Sequence, residues 1–170
     1  MPNTTYTLFQ FSADPWNARF EDAEKLQAFK VEEDPNLIMR ITREASWAQR
    51  NPQVMGPSNS YFYFGPSRVQ GYLVYGNSPP QSMRNARRQK RENSTSRYFT
   101  AQNGKEFKWR VTPQRLECID SKGGTVALWE TSQLRDEFHA RLTVKQSALA
   151  IITELVTTLT LNRIALSLNW

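Results

Sequence analysis

The sequence predicts a mainly β domain with one C-terminal helix, and three observations predict it. Short segments rich in aromatic and β-branched residues recur along the chain, bounded by Gly, Pro, Asn and Asp. Asn103-Gly104 and Gly123-Gly124 are the short turns that tight hairpins prefer. Only the segment that begins near Ala148 has the period of a helix.

Tyr6 to Ser12 reads as a strand, and Asp14-Pro15-Trp16-Asn17 as a turn in which Pro fixes φ while Asp and Asn bond the local backbone. Arg19 to Val31 is an extended segment or a short helix, because Ala23-Glu24-Lys25-Leu26-Gln27-Ala28 has helix propensity. After the turn Asp34-Pro35-Asn36, Leu37 to Arg43 forms a strand with Ile38, Arg40 and Thr42 on one face. Tyr61 to Phe64 and Val69 to Tyr75 are two more strands.

Residues 76–96 break the pattern. Pro79-Pro80, several Ser and Asn, and the basic run Arg84, Arg87, Arg88, Lys90 and Arg91 predict a flexible insert with almost nothing apolar. Short strands then resume at Arg97 to Thr100, Glu106 to Val111, Leu116 to Asp120, Val126 to Glu130 and Phe138 to Lys145. Alternation turns Phe107, Trp109 and Val111 toward a core and Glu106, Lys108 and Arg110 outward.

The helix is expected over about 146–162. Ala148, Ile152, Leu155 and Leu159 make one stripe, widened by Leu149, Ile151 and Val156. A helix this apolar belongs inside something, and its threonines can bond back to the preceding turn. A bilayer span is disfavoured, since the tract from Ala148 to Trp170 carries Glu154, Asn162, Arg163 and Asn169.

The 170 residues suit a single domain, and 39% hydrophobic with 22% charged residues excludes collagen-like, coiled-coil and wholly disordered chains. A net charge of +6 favours anionic partners without naming one. The lone Cys118 excludes an internal disulfide and a thiolate metal cluster, and the first residues resemble no secretory leader, so the expected location is cytoplasmic.

Several motifs together carry a family resemblance. They are Asp14-Pro15-Trp16-Asn17, Phe29-Lys30-Val31, the run from Arg97 to Arg110 containing F-T-x-x-x-G-x-x-F-K-W, Leu116 to Asp120, and Val126 to Glu130. With the apolar helix they resemble a fungal family of unknown function whose domain is similar to the tubby-like β-barrels of tubby, phospholipid scramblases and the LURP-one plant proteins. That resemblance implies a closed antiparallel tubby-like barrel of about twelve strands around the C-terminal helix. Closure would remove exposed sheet edges and give the helix an interior.

The basic run from Arg84 to Arg91 is either a solvated loop or a surface for anionic lipid, with nucleic acid the weaker option. Trp109 and Trp129 are candidate walls of a ligand pocket. Glu154 is expected to pair with an arginine, or else to act as a general acid or base in an apolar pocket with a raised pKa. His139, the sole histidine, is a second catalytic candidate, and a Cys118–His139 dyad a remote one. No metal site or nucleotide cradle is indicated, and no cofactor is expected. The leading functional expectation is a binding module for a lipophilic or anionic-lipid ligand. The alternatives are a cofactor-independent isomerase or cyclase acting on a hydrophobic fungal metabolite, and a ligand-free interaction protein.

Overall fold

The alternating segments form one antiparallel sheet of 12 strands, in a computed structural model that describes residues 4–170. They are β1 (Thr5–Phe11), β2 (Ala18–Glu21), β3 (Gln27–Glu33), β4 (Met39–Arg43), β5 (Asn59–Tyr63), β6 (Tyr72–Tyr75), β7 (Gln81–Ser82), β8 (Ser96–Thr100), β9 (Glu106–Val111), β10 (Arg115–Asp120), β11 (Thr125–Thr131) and β12 (Ala140–Lys145). The helix α1 (Ala45–Gln49) interrupts the β4–β5 connection, and α2 (Ile152–Leu168) follows a 3-10 segment, Gln146–Ile151.

The stretch around Ala23 that had two readings is a turn between strands. Asp22 Oδ1 accepts from the backbone N–H groups of Glu24 and Leu26, both at 2.9 Å, while Lys25 takes φ 67°. The same turn recurs at Asp34 with Leu37 at φ 63°, and at Asp120 with Gly123 at φ 86°. Local side-chain acceptors therefore decide against the helix propensity there.

The sheet is open, which corrects the expected closed tubby-like barrel. Its order runs β7-β6-β5-β4-β3-β2-β1-β12-β11-β10-β9-β8, and β7 and β8 remain edges that do not pair with each other. β7 gives way after Ser82 to a 3-10 turn at Asn85–Arg87, so no extended strand is left to pair along β8. Arg88 to Tyr98 is an isolated β-bridge on the β8 edge among the described residues. The label of a tubby-like β-barrel falls with the closure.

The helix α2 lies against the inner face of this open sheet, buried at every position from Ile152 to Asn162. Three of its four threonines back-bond as expected: Thr157, Thr158 and Thr160 donate to the carbonyls of Thr153, Glu154 and Val156 at 2.6, 2.7 and 2.8 Å, while the buried Thr153 hydroxyl has no partner among the described residues. Cross-ties fix it to both flanks of the sheet, Ser60 Oγ to Thr157 Oγ1 at 2.7 Å and Trp109 Nε1 to Thr158 Oγ1 at 2.7 Å. Gln146–Leu168 is long and apolar enough to cross a bilayer, yet it forms the centre of the core.

The segment 76–96 is tied into the fold rather than hanging from it. Met83 and Ala86 are buried in the core, and the backbone N–H of Met83 donates to Gly71 O at 2.9 Å. The Arg88–Tyr98 bridge and the Arg88 and Lys90 pairs with Glu106 tie it further.

Candidate functional site

Antiparallel pairing sorts every connection to one of two ends of the sheet. The start of α2 shares one end with α1 and the β8–β9 and β10–β11 turns. The end of α2 shares the other, here called distal, with the β1–β2, β3–β4, β5–β6, β7–β8, β9–β10 and β11–β12 connections.

The exposed large apolar residues are distributed unevenly between these ends. Leu37, Val69, Leu134 and Leu166 all stand on distal connections or on the last turn of α2, with Leu37 60% and Leu134 fully exposed. Tyr63 and Tyr72, cross-strand partners on the last rung before the β5–β6 connection, stand at the same end, where Leu37 and Tyr63 line one surface patch. Met55 alone among them lies at the other end. Behind the patch, Phe64 packs between Trp16 and Trp170 with ring centroids 5.2 and 6.1 Å away, and Arg68 stacks on Trp16 at 3.9 Å.

The basic run divides by what each cation meets. Arg88 and Lys90 share the single carboxylate of Glu106, at 3.1 and 2.6 Å, which offsets one of their two charges. Arg87 turns inward and donates to Asn162 Oδ1 at 3.4 Å, and burial together with the charge of Arg97 lowers its pKa to about 10. Arg84 and Arg91 are exposed at the distal end, and neither has a carboxylate partner among the described residues.

Trp109 and Trp129 are core residues with satisfied indoles and no surface to offer a ligand. Trp129 Nε1 donates to the buried Gln10 Oε1 at 2.9 Å, and Arg163 covers its ring at 4.7 Å. Arg163 donates to Ala13 O at 2.9 Å, and burial lowers its pKa to about 10. His139 lies beside this group, its ring 6.2 Å from that of Trp129, and burial followed by the charge of Arg163 lowers its pKa.

Glu154 is buried at the opposite end of the helix, nine positions before Arg163 and so roughly 13 Å away along the axis. Trp129, stacked on Arg163, therefore does not wall a pocket around it. The expected ion pair does not form either: Arg43, the nearby cation, gives its Nη1 to the carbonyls of Met55, Gly56 and Pro57 at 3.0, 3.2 and 3.2 Å. Glu154 Oε2 is left without a hydrogen bond among the described residues, and burial raises its pKa. Gly56, at φ 83°, closes over the carboxylate.

Cys118 is buried on β10 with its thiol pKa pushed up by desolvation. It sits level with Ala127 and Val144, whereas His139 lies five residues from Val144, roughly 16 Å along the strand direction, so the two do not form a dyad. No group of His, Cys, Asp and Glu among the described residues is arranged to hold a metal ion.

Two clefts are relevant. One of about 400 Å³ lies at the start of α2 between Lys105, Asp120, Lys122, Val126, Ser147 and Ile151. Another of about 160 Å³ lies at its end, where Arg87 meets Thr95, Arg97, Val111, Asn169 and Trp170. Arg97 and the distal leucines are the residues that sequence reasoning missed. Leu37 and Val69 carried a signal, as large apolar side chains two residues from the turn residues Pro35 and Gly71.

The chain belongs to a family described as a family of unknown function (DUF6593), whose model matches residues 13–163. No curated protein matches it. Among solved structures, the chain is similar to a protein from Arabidopsis thaliana known by its X-ray structure, with 10% identity, 97% of this chain and 93% of that chain covered, and a TM-score of 0.39.

Proposed function

We propose that this member of the DUF6593 family is a peripheral module that docks its distal end on an anionic membrane surface on the cytoplasmic side. The observation that carries the reading is the gathering of Leu37, Val69, Leu134 and Leu166 on the same end as the unpaired Arg84 and Arg91. Leucines on loop tips bury apolar area among acyl chains, and arginines beside them meet lipid phosphates, each adding about 1 kcal/mol. Tyr63 and Tyr72 suit the interfacial layer between the two.

Leu37 strengthens the reading. The Asp34 turn holds it at φ 63°, where the same turn at Asp120 has Gly123. A branched side chain in the left-handed region costs roughly 1–2 kcal/mol that glycine avoids. Lys25 bears the same cost in the Asp22 turn at the other end of the sheet, so what sets Leu37 apart is its exposed apolar side chain, which membrane insertion would bury.

The test is cosedimentation with neutral vesicles and with vesicles containing phosphatidylserine, at low and high salt. The parent should bind the anionic vesicles and release them as salt rises. The double variant Arg84→Gln/Arg91→Gln should bind roughly 30-fold more weakly, from about 1 kcal/mol per cation. Leu37→Gly should lose vesicle binding while its thermal stability holds or rises. Absence of binding by the parent at low salt overturns the reading.

A further inference from the structure

We infer that Arg87 and Arg97 form an oxyanion site that takes the terminal phosphoryl group of a phosphate monoester. The site is the cleft of about 160 Å³ between the end of α2 and the start of β8. Arg87 has one side-chain hydrogen bond, the long 3.4 Å contact to Asn162. Arg97 donates only to the carbonyls of Ser94 and Ser96, at 2.6 and 3.1 Å. Neither guanidinium has a carboxylate partner among the described residues, although Arg88 and Lys90, on the same segment, share Glu106.

The structural alternative is that these arginines compensate the C-terminal end of the helix dipole. The helix does not need them for that. Asn169, at φ 55°, and Trp170 turn their own N–H groups back to Leu166 O and Ala165 O, at 3.4 and 3.0 Å. Two cations in a half-buried cleft instead repel each other in a medium that screens them less than water does. A dianion between them removes the repulsion and can accept from both forks, a geometry that guanidinium and phosphate share. Thr95 also lines the cleft and carries a hydroxyl. The volume of about 160 Å³ has room for a phosphoryl group.

The ester could be a soluble metabolite or a lipid such as phosphatidic acid, and the site does not depend on membrane docking. Calorimetry and thermal shift on the full chain use inorganic phosphate and glycerol 3-phosphate, against sodium chloride at matched ionic strength. The parent should bind both phosphates saturably, Arg97→Gln should weaken that binding at least tenfold, and Arg84→Gln should leave it unchanged. Without ligand, Arg97→Gln should be as stable as the parent or more so at low salt, because the facing charge is gone. The vesicle arm compares phosphatidic acid with phosphatidylserine at equal surface charge, and a preference for the former should vanish in Arg97→Gln. Saturable phosphate binding without vesicle binding leaves this site standing and overturns membrane docking. A parent that responds to phosphate no more than to chloride, or an Arg97→Gln variant that responds equally, overturns the site and leaves docking untouched.

Discussion

Trp109 on β9 and Thr158 on α2 are joined by a 2.7 Å hydrogen bond, indole to hydroxyl, in the fully buried interface between sheet and helix. The same Thr158 hydroxyl donates to Glu154 O at 2.7 Å, so one small side chain both closes a helical turn and satisfies the indole.

Thr158→Val keeps the shape and removes both bonds. It leaves the buried indole N–H of Trp109 unpaired, so the expected loss is about 1–3 kcal/mol in urea unfolding. Trp109→Ala should lose about 3–5 kcal/mol. A Thr158→Val chain as stable as the parent would mean that water or another acceptor reaches the indole.

Glu154 gives the fold a pH dependence whose sign follows from its environment. Burial raises its pKa above the ordinary 4.5, so the folded chain holds that proton more tightly than the unfolded chain. Its contribution to stability is complete below pH 4.5 and is lost as pH rises through the raised folded value. Glu154→Gln removes the dependence, so the stability of the variant relative to the parent should climb as pH rises from below 4.5 through the raised folded value. Urea midpoints at several pH values measure it, and a difference that stays flat contradicts the assignment.

Gly71 ends the β5–β6 connection that presents Val69. A Cβ there would lie 1.9 Å from Tyr63 O, a collision with backbone that no side-chain movement relieves. Gly71→Ala should therefore cost about 1–3 kcal/mol through forced overpacking and displace the loop. Thermal unfolding reads the first effect and vesicle binding the second. Unchanged values of both would mean that the hairpin opens without cost.

The sequence by itself determined most of the strand segments, the inward turn of Phe107, Trp109 and Val111, and the burial of the helix with Thr157, Thr158 and Thr160 back-bonded. Those features follow from period and local chemistry, which each short stretch carries alone. Local polarity misled at 76–96, because Met83 and Ala86 anchor a segment whose average composition is that of a loop. Closure of the sheet was decided only in three dimensions, since it depends on whether β7 is long enough to reach β8, and the 3-10 turn at Asn85–Arg87 ends it. The pairing of cations was decided there too. Arg88 and Lys90 find Glu106 while Arg87 faces Arg97, because charges respond to distance in space, and no spacing along the chain encodes which side of a sheet edge each one reaches.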